Sequence, residues 1–383
     1  SAMARMKVFL KGKPKVITDF EAIKNTADGY YCCVKITRVG KKYDFPCASL
    51  LTEAGIRNFT NDLVGEKVYM DKIALDDLVK FQDAEFEFIN GYYYDEGFND
   101  TIVKTIKYIF EQRLKYKRMK DEDGNSNPIQ MVFKELMNSS YGKTCLKPID
   151  SDNEYVHIDE WKKYVVRNYN YIIEAVLLAN GMYMKVKKIK TIDTHFNNVH
   201  IGVSILSTSK TIMYEVMTLA EDLNIDMYYT DTDSIHIDNS QIEYLGNEFE
   251  KKYNRVLIGE DMGQFHTDFD LAGSVGDIVA SESIILGKKC YIDKLEALDK
   301  DGEIINDYHI RMKGVSTNCI KFKGDQEYGG DYMKMFKELF DGKTLEFNLL
   351  AVAPSFELCK NMNIRSRKKF SRRISFRSEL DEE

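Results

Sequence analysis

Apolar residues recur along this chain with two periods, and the periods locate its elements. Ile102, Val103, Ile106, Ile109, Phe110 and Leu114 follow the spacing of one helix face and predict a helix over residues 99–120. Asn99 or Asp100 is placed to cap it. The stretch Asp121 to Asn127 contains Gly124 and breaks the pattern. Asn127 as cap and Pro128 at the first helical position then open a second helix, with Ile129, Val132, Phe133, Leu136 and Met137 as its apolar stripe. Two helices joined by a short polar turn predict an antiparallel helical hairpin. Another amphipathic helix is predicted over 205–223 through Ile205, Ile212, Met213, Val216, Met217 and Ala220. It leads into a strand, Ile225 to Thr230, a tight turn, and a second strand, Ser234 to Ile237.

Elsewhere the period is closer to two. Residues 28–48 alternate loosely (Tyr31, Cys33, Lys35, Thr37) around the turn Val39-Gly40-Lys41-Lys42 and read as a hairpin. Residues 67–95 mix short strands with a short helix, Leu75 to Phe81. The stretch 144–200 is polar, aromatic and irregular, with Trp161 and a basic run from Lys185 to Lys190, and reads as an inserted subdomain. The remainder mixes strands, a helix at Tyr328 to Phe340 and a basic C-terminus.

At 383 residues the chain is long enough for two or three domains of about 150 residues. Its 44% hydrophobic and 30% charged composition is that of a soluble globular protein. No apolar run reaches the roughly 18 residues a membrane span needs, and the N-terminus has no signal-peptide pattern. The seven cysteines are odd in number and scattered without a C-x-x-C pair, so neither a disulfide framework nor a zinc knuckle is indicated, and an intracellular, reducing setting fits. His195 and His200 have ligand-like spacing but no Cys partner nearby, so chance explains them.

Charge changes the picture by its distribution. The net charge of −7 argues mildly against a nucleic-acid binder. Yet Lys360 to Arg377 holds eight basic residues and no acid, and Lys104 to Lys120 holds seven against Glu111 alone. Local basic patches, not the global sum, set phosphate affinity.

The strongest chemical signal is Tyr229-Thr230-Asp231-Thr232-Asp233-Ser234, flanked by apolar strand positions. Two carboxylates two residues apart in extended chain point to the same side, at about 6–7 Å, where they repel. A divalent cation would neutralise them, and oxygen ligands favour Mg²⁺ or Mn²⁺. An acidic hairpin turn with no ligand is the competing reading; Asp268-Phe269-Asp270 is a second D-x-D that reads that way. A second signal is Lys134-Glu135-Leu136-Met137-Asn138-Ser139-Ser140-Tyr141-Gly142. Lys134, Asn138 and Tyr141 fall within about 60° of one another on the helix, opposite the apolar stripe. An ammonium suits phosphate and a ring suits stacking on a base or sugar. Gly142 is placed to end this helix. Arg113 and Lys117 lie one turn apart on the first helix, with Arg113 continuing its apolar side. Lys288-Lys289-Cys290-Tyr291-Ile292 is a basic pair leading into a strand, weak by itself.

Together these residues resemble family B DNA polymerases, especially the viral, plasmid and organellar branch that includes protein-primed enzymes. Tyr229 to Ser234 is similar to the family's YxDTDS motif, Lys134 to Gly142 to KxxxNSxYG, and Lys288 to Tyr291 to KKxY. Lys313-Gly314 is a weaker match to a K-G element. The resemblance implies an α+β right-hand polymerase fold: a palm over 1–98 and 201–290, helical-hairpin fingers over 99–143, an insertion over 144–200, and palm edge with a small thumb over 291–383. It implies two-metal, template-directed transfer of a deoxynucleotide to a primer 3′ end in DNA replication. Asp231 and Asp233 would hold two Mg²⁺ ions, with Mn²⁺ as an alternative. Arg113, Lys117 and Lys134 would bind the triphosphate, and Asn138 and Tyr141 would line the nucleotide pocket. Lys289 and Tyr291 would hold the primer terminus, with Lys313, Arg367 and Arg372 as further DNA contacts.

The family's first palm motif ends S-L-Y-P-S-x-M, and this chain begins Ser1-Ala2-Met3. The expectation is a chain that starts inside that motif. The family's other metal-binding Asp and its exonuclease domain would then lie upstream, and the isolated chain would be inactive or weakly active. An expression tag or an intein junction would also leave such a start. Implied partners are primer-template DNA, deoxynucleoside triphosphates, and an N-terminal polymerase fragment or a terminal protein, with no membrane. A catalytically silent DNA-binding fragment is the alternative. A D-x-D glycosyltransferase explains the carboxylates but not the Lys-Asn-Tyr face, and a reverse transcriptase has adjacent aspartates where Thr232 intervenes here.

Overall fold

The structure, a computed structural model, describes residues 2–5, 9–119, 126–147, 149–190, 198–358 and 364–376. It divides into two compact units, Ser1–Leu219 and Ala220–Glu383. No described helix is long and apolar enough to cross a membrane, and the described cysteines are free.

In the first unit a short helix α1 (Ala2–Arg5) precedes β1 (Lys15–Val16), α2 (Phe20–Ile23) and the long strand β2 (Gly29–Val39). A small hairpin, β3 (Ser49–Leu51) and β4 (Arg57–Phe59), leads to β5 (Lys67–Asp71), helix α3 (Lys72–Gln82) and strand β6 (Ala84–Tyr94). The antiparallel sheet runs β1-β6-β2-β5. Residues 28–48 are therefore not a hairpin. β2 takes β6 on one side and β5 on the other, so both its edges are used by later chain. The segment after β2 is instead tied to the end of α3: Gly40 and Lys41 donate backbone N–H to the Gln82 carbonyl, and the buried Gln82 amide accepts from Cys47 N–H at 2.7 Å. Tyr30, Cys32, Val34 and Ile36 of β2 face one way and join Leu75, Leu78 and Phe81 of α3 in the core.

The predicted helical hairpin is present. α4 (Asp100–Arg118) and α5 (Ile129–Thr144) pack together, with Tyr116 stacked on Phe133 at 5.7 Å. Asn99 caps α4 by accepting from Thr101 N–H, and the Asn127 side-chain oxygen accepts from Ile129 N–H. Of the predicted breaker, Asp121 to Asn127, residues 121–125 lie outside the described residues, as do Ser1, Lys120, His195, Lys360 and Arg377. The predicted stop at Gly142 is two residues early, since α5 continues to Thr144. Its predicted apolar stripe is also only part-covered: Phe133 and Met137 are half-buried, whereas Ile129, Val132 and Leu136 are exposed.

The stretch read as irregular is ordered. β7 (Ser151–His157), α6 (Trp161–Asn168), β8 (Ile172–Leu177) and β9 (Tyr183–Ile189) form a small sheet, order β7-β9-β8, and a helix. Only Val156 and Val186 of these strands are buried, so the alternation that betrays a strand is weak. Helix α7 (Val199–Asp222) begins six residues before its predicted start and carries the chain into the second unit.

The second unit opens with the hairpin β10 (Met227–Asp231) and β11 (Ser234–Ile237), close to prediction. After α8 (Ile242–Tyr253) come three antiparallel strands, β12 (Val279–Gly287), β13 (Cys290–Leu298) and β14 (Ile304–Met312), in that order across the sheet. The helix predicted at 328–340 is α10 (Tyr332–Phe340), which starts four residues late, and a further helix not predicted, α9 (Thr317–Tyr328), precedes it. Gly329 and Gly330 separate them at φ 63° and 86°, a left-handed conformation that no helix can continue through. Cys290, Ile292, Ile310 and Met312 on one face of the sheet pack on Ile320, Met335, Phe336 and Leu339. The chain then forms β15 (Leu345–Asn348), β16 (Phe356–Leu358), β17 (Ile364–Ser366) and β18 (Ser371–Ile374), paired as two ribbons, β15-β18 and β16-β17.

Candidate functional site

The Asp231 and Asp233 carboxylates sit at the tip of the β10–β11 hairpin. Asp231 is the last residue of β10 and pairs with Ser234. Between them the chain does not stay extended, so the two-residue period does not set the carboxylate directions. Asp233 N–H donates to the Asp231 carbonyl at 2.7 Å, and Thr232 between them has φ 58°. An i to i+2 hydrogen bond around a positive-φ residue is a γ-turn, a rare and strained form. For a β-branched residue such a φ is an outlier, and strain of this kind concentrates at functional sites. Side chains hold the turn: Thr232 Oγ1 donates to Asp231 Oδ1 at 3.0 Å and Ser234 Oγ to the Asp231 carbonyl at 3.1 Å. Asp233 is exposed and the Asp231 side chain is 24% exposed.

The β12–β13 turn meets this hairpin. Lys289 Nζ lies 3.2 Å from Asp231 Oδ2, and its backbone N–H donates to the Tyr229 hydroxyl at 2.9 Å. Lys289 is itself left-handed, φ 58°, after Gly287. The rings of Tyr229 and Tyr291 stand 5.0 Å apart, and burial pushes the Tyr291 hydroxyl up to about 12. Lys313 N–H donates to the Lys289 carbonyl at 2.9 Å. Gly314, at φ 83°, lies directly against the Arg372 guanidinium, leaving no space for a Cβ. Four of the residues singled out in this unit, Asp231, Lys289, Tyr291 and Lys313, thus converge through direct contacts, and Arg372 adjoins Gly314, the neighbour of Lys313. Arg367 is engaged elsewhere: its guanidinium covers the Phe370 ring at 4.4 Å and lies 3.9 Å from Glu357. The described part of the basic C-terminus is partly neutralised, with Arg365 on Glu357 and Arg373 on Glu346. Asp268-Phe269-Asp270 contributes only a ring, Phe269, beside His236 and His309.

In the first unit, Lys134 and Asn138 are exposed on α5, but Tyr141 is not on an open face with them. It packs against a cluster of Ala2, Phe9, Ile201 and Ile205, and its hydroxyl is pushed up to about 12, first by burial. On α4, Lys117 is exposed and Arg113 half-buried, with Arg113 Nε finding no hydrogen-bond partner among the described residues. His200, dismissed as a ligand, stacks on Tyr94 at 5.6 Å, and burial holds its imidazole below the usual range.

Solved structures share this fold. Phi29 DNA polymerase in an orthorhombic crystal form matches 98% of this chain and 56% of its own, with a TM-score of 0.54 and 14% identity. The same polymerase with primer-template DNA, and with primer-template DNA and incoming nucleotides, matches with the same coverage and identity at a TM-score of 0.56. The chain has a DNA-polymerase-like fold. It spans just over half the length of these relatives, and at such identity the likeness is one of fold alone. No protein-family model matches the chain, and no curated protein sequence matches it.

Sequence reasoning missed Asp293, His236 and His309, which lie behind Tyr291. Asp293 is fully buried, with Ser283 Oγ donating to it at 2.7 Å and His309 Nδ1 at 3.1 Å. The available signal was period two: Tyr291 and Asp293 share a face of β13, and an acid at an inward position is unusual.

Proposed function

We propose that the protein carrying this chain is a family B DNA polymerase that adds deoxynucleotides to a primer 3′ end in DNA replication. The observation that carries the reading is the seating of Lys289 on Asp231 and Tyr229. It joins two motifs that sit sixty residues apart in sequence, and whose combination is that of the family. The likeness to polymerases solved with primer-template DNA and incoming nucleotides supports the same partners here.

Asp231 and Asp233 fit a divalent cation by chemistry. Both offer hard oxygen donors, Asp233 is open, and Asp231 already draws a cationic group to 3.2 Å. No cluster of three or more candidate ligands exists among the described residues. Mg²⁺ binds through one or two carboxylates plus water and substrate phosphates, so this pair is enough to hold it. When bound, such ions neutralise the triphosphate and lower the pKa of the attacking hydroxyl. The remaining roles fall to the chain itself. Lys134, Lys117 and Arg113 supply positive charge for the triphosphate and Asn138 contacts the nucleotide, while Tyr141, packed against Phe9 and Ile201, backs that face. Lys289 and Tyr291 orient the primer terminus, while Lys313 and Arg372 grip backbone phosphates.

Asp233→Asn tests the assignment in the protein that carries this chain. It keeps shape and removes one charge and one strong ligand. Metal-assisted charge stabilisation is worth several kcal/mol, so a loss of about 10³ in nucleotide transfer is expected, with DNA affinity near normal. Retention of more than about a tenth of the rate, an effect under ~1.4 kcal/mol, would overturn the ligand assignment.

A further inference from the structure

Asp293 takes no part in the proposed chemistry, yet it is fully buried. A carboxylate at 0% exposure must be paired and hydrogen-bonded to survive. Nothing about strand β13 requires it, since its neighbours Cys290 and Ile292 make an apolar core on the other face. What the charge holds is visible in the register. Ser283 of β12 and His309 of β14 lie directly opposite Asp293 on either side. Ser283 Oγ donates to one carboxylate oxygen and His309 Nδ1 to the other. His236, from the carboxylate-bearing hairpin, approaches Asp293 Oδ1 at 4.0 Å.

The two imidazoles then stand against the aromatic rings of the site. His236 packs edge-on to Tyr229 and to Tyr291, each at 5.4 Å, and His309 lies 5.6 Å from Tyr291. Phe269 closes the cluster against both histidines. Tyr229 takes the Lys289 N–H, and Lys289 pairs with Asp231. A continuous chain of contacts therefore runs from the buried carboxylate to the tip of the hairpin.

We infer that Asp293 is a positioning residue: through His236 and His309 it fixes the Tyr229–Tyr291 ring pair, and so sets Lys289 against Asp231. The inference rests on the polymerase reading for its catalytic consequence, but not for its structural one. It assigns the carboxylate no contact with substrate. Ring orientation is the mechanism: the Asp293 carboxylate accepts from His309 Nδ1 at 3.1 Å and so fixes that ring's tautomer and plane, while His236, 4.0 Å away, is seated by packing between Tyr229, Tyr291 and Phe269.

The test uses the protein that carries this chain and two variants, Asp293→Asn and His309→Phe. The first removes the charge in the same shape; the second keeps a ring but cuts the tie to Asp293. Amide hydrogen exchange at Lys289 is read beside that of Met335 and Leu339 in the core, and single-nucleotide kcat and KM are read on a primer-template. Expected is exchange at Lys289 faster by about tenfold in both variants with the core amides unchanged, since loss of the tie frees the acceptor of that one N–H. Expected too is a kcat lower by about tenfold or more, with KM for the nucleotide unchanged, because a displaced Lys289 alters the reacting geometry and not nucleotide binding. Unchanged exchange at Lys289 in the two variants overturns the inference, whatever the rates do. Equal acceleration at Lys289 and in the core marks a merely structural role and also overturns it. Faster exchange at Lys289 with unaltered kcat overturns the catalytic consequence. If the unmodified protein transfers no nucleotide while Lys289 loosens selectively, the polymerase reading falls and the positioning role stands.

Discussion

Replacing Asp77 with Asn should stabilise the first unit at alkaline pH and do progressively less as pH falls. Asp77 lies on α3 at 5% exposure, and burial, opposed by the Thr211 hydroxyl and Lys80 and reinforced by Glu215, pushes its carboxyl from 3.8 up to about 7. A raised acid favours its protonated form in the folded state. Its contribution is therefore complete below the unfolded value and is lost as pH climbs through the folded one. Over that span folding stability drops by ~1.4 kcal/mol per pH unit, which sums to about 4 kcal/mol once pH exceeds both values. Thr211 Oγ1 donates to Asp77 Oδ2, and an amide oxygen can accept the same bond, so the variant keeps the hydrogen bond and sheds only the charge. Urea unfolding followed by circular dichroism, at several pH values, reads the difference through the midpoint. The advantage of Asp77→Asn should grow by about 2.5 kcal/mol between pH 5 and pH 8. A pH-independent difference, or a variant less stable at pH 8, would refute the argument and mean that the buried Asp77 charge carries no such penalty.

Two further expectations concern strained positions. Thr232→Gly removes a β-branched residue from a left-handed φ, which costs roughly 1–2 kcal/mol for an ordinary residue, so thermal stability should hold or rise while nucleotide transfer falls as the carboxylate spacing loosens. A fall in stability of more than about 1 kcal/mol would contradict the strain reading. Gly314→Ala should lower stability by about 1–2 kcal/mol in thermal melts, because φ is 83° and the Arg372 guanidinium must move aside. It should also weaken DNA binding at low salt more than at high salt, and an unchanged salt slope would separate Arg372 from the DNA contacts.

Helix signals in the sequence were reliable where local rules decide. The α4–α5 hairpin was legible because its spacing, the cap at Asn99 and the Asn127-Pro128 pair all act within a few residues, although α5 itself begins at Ile129, one residue after the predicted first helical position. The β10–β11 hairpin was legible because a polar turn stands between two apolar runs. The partners of β2 were not, because strand pairing is a property of the whole sheet and its neighbours, β5 and β6, come 28 or more residues later. Tyr141 illustrates the limit of helical geometry: angular position put it beside Lys134 and Asn138, but burial depends on what packs there, here Phe9 and Ile201. Of the candidate site, the motifs supplied Asp231, Lys289 and Tyr291. Asp293 was legible only as an acid sharing the period-two face of Tyr291; its partners were not, since they are set by the register that places Ser283 and His309 beside it.

The small sheet of β7, β8 and β9 has a consequence for how the chain breathes. It is held by main-chain pairing and by ion pairs at its surface, such as Lys188 with Glu154, and buries almost no apolar side chain of its own. Surface ion pairs add little and water competes for every exposed backbone bond. Opening this segment therefore sacrifices far less than opening the β1-β6-β2-β5 sheet, and it can melt and reform many times while that core stays closed. A protease should cut this segment before it cuts the β1-β6-β2-β5 sheet. Insertions, deletions and exchanges of sequence between residues 151 and 189 would register as altered handling of whatever the segment touches, long before they registered as a failure to fold.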